Sequence, residues 1–117
     1  MKRVNRLLKN QDFKKVLDCH NCVSRENFTI YQKNNNLGHC RVGVSVNSKI
    51  GNSVVRHRLK RQVVSMLDKC VDINSNDDIV VIVRKKYLEH TFQENFSSII
   101  SMLNKILHKG ENIDEKK

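Results

Sequence analysis

The chain of 117 residues has no tryptophan, only four phenylalanines and two tyrosines, and no run approaching the ~18 apolar residues that a membrane span needs. Its opening stretch, "MKRVNRLLKNQDF", lacks the apolar core and small-residue cleavage site of a secretory leader. These absences set aside export and membrane insertion, and the expected location is cytoplasmic. A further absence is more informative. No aspartate or glutamate lies between Glu26 and Asp68, while Lys33, Arg41, Lys49, Arg56, Arg58, Lys60 and Arg61 all fall there. The whole chain has 22 Lys+Arg against 12 Asp+Glu, a formal net charge of +10, so one middle segment carries most of the excess. A concentrated surplus of that kind points to an acidic partner such as nucleic acid. The same segment has none of the clustered carboxylates that hold catalytic metal ions for phosphodiester hydrolysis, so no self-contained nuclease site is expected.

Four cysteines, Cys19, Cys22, Cys40 and Cys70, raise the question of zinc, because "CHNC" is followed by His39 and Cys40. A structural zinc site needs a second close pair of ligands, and adjacent strand residues point to opposite faces. No zinc or other protein-bound metal is therefore expected, and the cysteines are read as reduced thiols. His20, His39, His90 and His108 are scattered, with no serine, cysteine or acid at a spacing that makes a nucleophile or general base. The nucleotide-binding pattern GxxxxGK[ST] is also missing.

What is present reads as one α+β domain over residues 1–110 with a disordered polar tail at 111–117. "NQDFKKVL" from Asn10 places Phe13, Val16 and Leu17 at helical spacing behind an asparagine cap. "NFTIYQK" and "RVGVSVN" alternate as strands, and "NNNLG" between them suggests a hairpin, with Tyr31 facing Gly43 and Ser45 across it. A short extra strand is expected near 22–25. Gly51 and Asn52 precede a second helix over 52–69, in which Val55, Leu59, Val63 and Met66 recur every three or four residues. "DIVVIVR" at 78–84 is a continuous β-branched run, which suits a central strand buried on both faces. A last helix begins at the capping box of Thr91 and Glu94 and carries the stripe Phe92, Phe96, Ile99, Ile100, Leu103, Ile106 and Leu107, with His108, Lys109 and Gly110 as stop signals.

Taking Val55 as zero and ~100° per residue, the second helix puts its apolar stripe at about 0–120°, Lys60 near 140°, His57 near 200° and Arg61 near 240°. Arg56 borders the stripe near 100°, and Arg58, near 300°, points to the other flank. Three or four cations thus share one solvent-facing band. Solvated helix faces ordinarily relieve such repulsion with acids at i+4, and this helix has none before Asp68. Phosphates supplying the missing charge make sense of that cluster, and the Gly51–Asn52 turn adds free backbone N–H groups at the helix start. Phe13 and Tyr31 are the candidate stacking platforms for unpaired bases.

"KIGNSVVRHRLKR" at 49–61, a glycine turn and then a basic helix, resembles the Arg-Asn-Arg/Lys-x-Lys-Arg signature of the bacterial ribonuclease P protein subunits. "NRLLKNQDFKKVL", "NFTIY", "RVGVSV" and "DIVVIVR" follow that family's order over nearly the whole chain. The resemblance implies a ribosomal protein S5 domain 2-like two-layer α+β sandwich with a left-handed βαβ crossover through the basic helix. It implies a protein that assists a catalytic RNA in removing the 5′ leader of precursor tRNA, with Mg2+ bound mainly by the RNA, and with neither membrane nor DNA as partner. By motif position it gives Lys49, Gly51, Asn52, Arg56, His57, Arg58, Lys60 and Arg61 to RNA contact, and Phe13, Leu17 and Tyr31 to a leader cleft. Three positions depart from the family pattern: His57 for asparagine, Ser48 for lysine and Val64 for arginine. Leu17 stands where many members have a second aromatic. The competing readings are a ribosomal-type structured-RNA binder and an autonomous nuclease.

Overall fold

The computed structural model describes residues 2–7 and 9–107, apart from the side chain of Arg3. The tail at 111–117, the last residues of the expected domain at 108–110 and the stop signals His108, Lys109 and Gly110 lie outside the described residues. In chain order the elements are α1 (Asn10–Leu17), β1 (Cys22–Ser24), β2 (Phe28–Asn34), β3 (Arg41–Val46), α2 (Ser53–Cys70), β4 (Asp77–Val83) and α3 (Phe92–Leu107). The four strands form one sheet in the order β1-β2-β4-β3.

β4 is central because its side chains demand it. Ile79, Val80, Val81 and Val83 are each at most 1% exposed, so both faces of this strand are covered. It pairs antiparallel with β2 (Tyr31 opposite Val80) and parallel with β3 (Gly43 opposite Val80). The expected β2–β3 hairpin is therefore wrong. The asparagine-rich stretch is a loop that carries the chain past β4: Asn35 Nδ2 donates to Asp78 Oδ1 (2.7 Å), and the Gly38 N–H donates to Asn76 Oδ1 (2.7 Å). Gly38 has φ +80°, a conformation that favours glycine. Tyr31 does not face Gly43 across a hairpin; both lie in one row of the sheet with Val80 between them.

Strand alternation divides the apolar residues into two cores. Phe28, Ile30, Val42, Val44, Ile79, Val81 and Val83 face α2 and α3, where they meet Leu59, Val63, Met66, Leu67, Ile99, Met102, Leu103 and Ile106. This helical layer on the sheet is the two-layer body of the α+β domain. On the opposite face α1 covers a smaller cluster of Leu7, Val16 and Val80, edged by Phe13, Leu17, Tyr31 and Ile82.

The helix boundaries follow local chemistry. Asn52 caps α2, its side chain accepting from the Val55 N–H (3.0 Å). At α3 the Thr91 N–H donates to Glu94 Oε1 (2.8 Å) and the Glu94 N–H to Thr91 Oγ1 (3.1 Å), the reciprocal pair expected there. Asn10 is not a cap: α1 begins on it and Lys9 holds the cap position without a side-chain bond. Phe92 and Ile100 leave the expected stripe of α3, being 40% and 39% exposed.

Candidate nucleic-acid interface

The groove that gathers the basic residues begins with the N-terminal arm. Asn5 Nδ2 donates to the carbonyls of Cys40 (2.7 Å) and Ile73 (3.3 Å), and the Leu7 N–H donates to the Val42 carbonyl (2.8 Å). Arg6 pairs with Val42 as a parallel bridge. The arm thus runs along the outer edge of β3 and brings Arg6 to the groove. Behind it α1 lays Phe13 across β3: a Cβ placed on Gly43 would stand 2.4 Å from Phe13 Cζ. Only glycine leaves the ring that seat.

α2 forms the other wall. Leu59, Val63, Met66 and Leu67 are buried in the larger core, which turns the band predicted from helical spacing outward. Three adjoining cavities share Lys60. The first, about 350 Å³, lies among Arg6, Asn10, Phe13, Gly43, Ser45, Lys60 and Val64. The second, about 400 Å³, is lined by Arg6, His57, Lys60, Arg61, Val64, Ser65 and Asp68. The third, about 350 Å³, is lined by Val44, Ser45, Val46, Ser53, Arg56, His57 and Lys60. The Nε of Arg56 is itself buried and has no hydrogen-bond partner among the described residues.

The other sequence candidates are placed as follows. Arg58 turns to the opposite flank of α2 and borders a separate cavity of about 240 Å³ with Gln62, Tyr87, Leu88 and Phe92. Lys49 is exposed on the short 3-10 turn Ser48–Ile50, and Gly51 and Asn52 lead from it into α2. None of these three lines the groove cavities. Leu17 and Tyr31 pack beside Val80 in the smaller core and do not line the groove, whereas Phe13 does. Arg41, one of the seven cations of the acid-free segment, is spent inside the fold. Its Nε and Nη2 donate to Asp78 (2.9 and 2.6 Å) and its Nη1 to Asp12 (3.3 Å). The hydrogen bonds to Asp78, opposed by burial and helped by the charges of Asp78 and Asp12, raise the Arg41 pKa.

Sequence reasoning missed Arg6 and Asn10 as groove residues, whereas Gly43 and Ser45, read as a floor opposite Tyr31, do line the groove, beside Phe13. Arg6 carried a signal, as part of a basic arm, but its partner strand was not legible. The cysteines are dispersed: Cys19 and Cys22 are exposed, Cys40 is buried and Cys70 half-buried. Burial pushes the Cys40 thiol up to about 11. Among the described residues no three His, Cys, Asp or Glu side chains come together to hold a metal ion, and no helix is long and apolar enough to cross a membrane.

Fold and groove together define a small basic α+β protein in which Arg6, Arg56, Lys60 and Arg61 line one groove beside β3 and α2. Residues 1–107 match the ribonuclease P family. The ribonuclease P protein component of Streptococcus thermophilus is 36% identical over 103 residues, which cover 88% of this chain and 93% of that protein. That of Bacillus pumilus is 37% identical over 107 residues, 90% of each. Among solved structures, a Staphylococcus aureus RNase P protein mutant with defective mRNA degradation activity superposes with a TM-score of 0.79 at 29% identity, covering 87% of both chains. The RNase P protein from Thermotoga maritima gives 0.75 at 25% identity, over 86% of this chain and 96% of that one. The chain belongs to the ribonuclease P protein family, and as such a component it is part of the enzyme that processes the 5′ end of tRNA.

Proposed function

We propose that this chain docks the catalytic RNA of ribonuclease P on the outer face of α2 and guides the single-stranded 5′ leader of precursor tRNA through the groove beside Phe13. The observation that carries the reading is the set of three adjoining cavities lined by Arg6, Arg56, His57, Lys60 and Arg61. Phosphate oxygens pair with these cations, and neutralising them lets two RNA strands approach. Lys49, Gly51, Asn52 and Arg58 extend the contact beyond the groove, and Leu17 and Tyr31 support Phe13 from the smaller core.

The catalytic centre lies in the RNA. Mg2+ supplies the activated water for hydrolysis there. This chain's described residues do not fit a magnesium site of their own: no three His, Cys, Asp or Glu side chains come together, Asp68 is the one carboxylate lining the groove cavities, and Asp12 and Asp78 are engaged by Arg41. Its partners are the catalytic RNA and precursor tRNA, in the cytoplasm, with no role for DNA.

Incubating the pure protein with precursor tRNA and Mg2+, with and without the catalytic RNA, tests the division of labour. Cleavage is expected only with RNA, and cleavage by protein alone would overturn it. Affinity for the leader should fall with salt, at a log-log slope of about −0.7 per phosphate contacted. Equal affinity for leaderless tRNA would remove the leader from the groove.

A further inference from the structure

β3 meets the first turn of α1 at two successive positions of one face. Strand alternation puts Arg41 and Gly43 on the same side, about 7 Å apart. Gly43 seats the ring of Phe13, and Arg41 Nη1 donates to Oδ2 of the preceding residue, Asp12, at 3.3 Å. The guanidinium is not free to follow α1, because its Nε and Nη2 are held by the two oxygens of Asp78 at 2.9 and 2.6 Å, and Asp78 also accepts from Asn35 Nδ2. Arg41 is thus a fixed post in the sheet. α1 has few other anchors: Val16 is its one buried side chain, and among the described residues the bond to Arg41 is the one side-chain hydrogen bond or ion pair that ties it to the sheet. Val16 stands one turn on from Asp12 and about 40° around the helix, so the core and the ion pair pin nearly the same stripe at two heights and set the rotation of α1. Phe13, about 100° from Asp12, takes its direction from that rotation. Asp12 and Arg41 line none of the three groove cavities, so the pair stands behind the ring, outside them.

Resting on the reading of that groove as the path of the precursor tRNA leader, we propose that Asp12, held by Arg41, is a positioning residue for the leader: the ion pair fixes the rotation of α1 and with it the ring of Phe13, on which an unpaired base stacks. Charge alone predicts the opposite effect. Asp12 is an acid beside a groove that takes a polyanion, so removing it would tighten leader binding if it acted only through its charge.

The test uses holoenzyme reconstituted from the full chain and an in vitro transcript of a bacterial ribonuclease P RNA, with precursor tRNAs carrying either a long leader or a single-nucleotide one. Asp12→Ala should raise KM for the long-leader substrate about threefold, a size ordinary for an ion pair near the surface, with the loss falling on KM rather than kcat. The single-nucleotide substrate does not reach Phe13 and should be handled alike by both proteins. Asp12→Glu keeps an acceptor for Arg41 and should recover most of the loss. In a Phe13→Ala background Asp12→Ala should add nothing, because the ring it positions is gone. Equal or tighter use of the long leader by Asp12→Ala, the same loss in both backgrounds, or a loss shared by both substrates would overturn the inference. If Phe13→Ala weakens use of the long leader and Asp12→Ala does not, the leader reading stands and only the positioning role falls. A wild type indifferent to leader length, or a Phe13→Ala protein that matches it on the long leader, would remove both.

Discussion

Phe13 and Gly43 give the sharpest check on the groove. A methyl group at position 43 would stand 2.4 Å from Phe13 Cζ and 2.8 Å from Cε1. An ordinary carbon contact is about 3.7 Å, so Gly43→Ala must move the ring by about 1.3 Å. β3 and its pairing with β4 hold the backbone, whereas Phe13 is only half-buried and has the groove on one side. The ring should therefore swing into the groove. Overpacking of this kind costs about 1–3 kcal/mol, and an exit into open space places it at the lower end, about 1 kcal/mol. Urea unfolding would read that as a lower midpoint with unchanged slope. The displaced ring narrows the first cavity, so anisotropy with a labelled leader oligonucleotide should show weaker binding. In a Phe13→Ala background the same glycine substitution meets no ring and should cost almost nothing, a coupling that a double-mutant cycle isolates. Additive costs in that cycle would refute the argument that the ring is what requires glycine.

Three further outcomes follow from the same geometry. Arg41→Ala leaves Asp78, 5% exposed, without its bidentate partner and should destabilise the fold by about 3 kcal/mol, read by chemical denaturation; a loss below about 1 kcal/mol would mean the pair is dispensable. His90 has its pKa raised chiefly by its hydrogen bond to Glu26, so its contribution is fully present below the ordinary histidine value and is lost as pH rises through the raised one. Thermal midpoints of wild type should accordingly approach those of His90→Gln across that rise, and a gap that widens toward alkaline pH would contradict the assignment. With a thiol-reactive chromophore at pH 8, Cys19 and Cys22 should label quickly, while Cys40, buried and with its thiol pushed up to about 11, should wait for unfolding; fast labelling mapped to Cys40 in the native protein would show that the β3 edge opens.

Local patterns were enough for much of this molecule. The Thr91–Glu94 capping box and the period of Val55, Leu59, Val63 and Met66 depend on residues within about three turns of one another, and each formed as read. The same period separated Lys60, His57 and Arg61 from Arg58, because burying one stripe of a helix fixes the direction of every other side chain. "DIVVIVR" announced a central strand, since only a strand covered on both faces tolerates such a run.

Tertiary structure decided the rest. No local signal states that β4 inserts between β2 and β3; that order reflects competition among strands for one doubly buried position, settled by contacts more than 30 residues apart. The insertion separates Tyr31 from Gly43, frees the outer edge of β3 for the arm and brings Arg6 to the groove. It also withdraws Arg41 from the cationic surface into an ion pair with Asp78. The sequence by itself determined a basic helix with one face turned to solvent, because helical period is a property of neighbouring residues. Which residues face that helix across the groove was decided only by packing, because they come from segments that meet nowhere but in the folded chain.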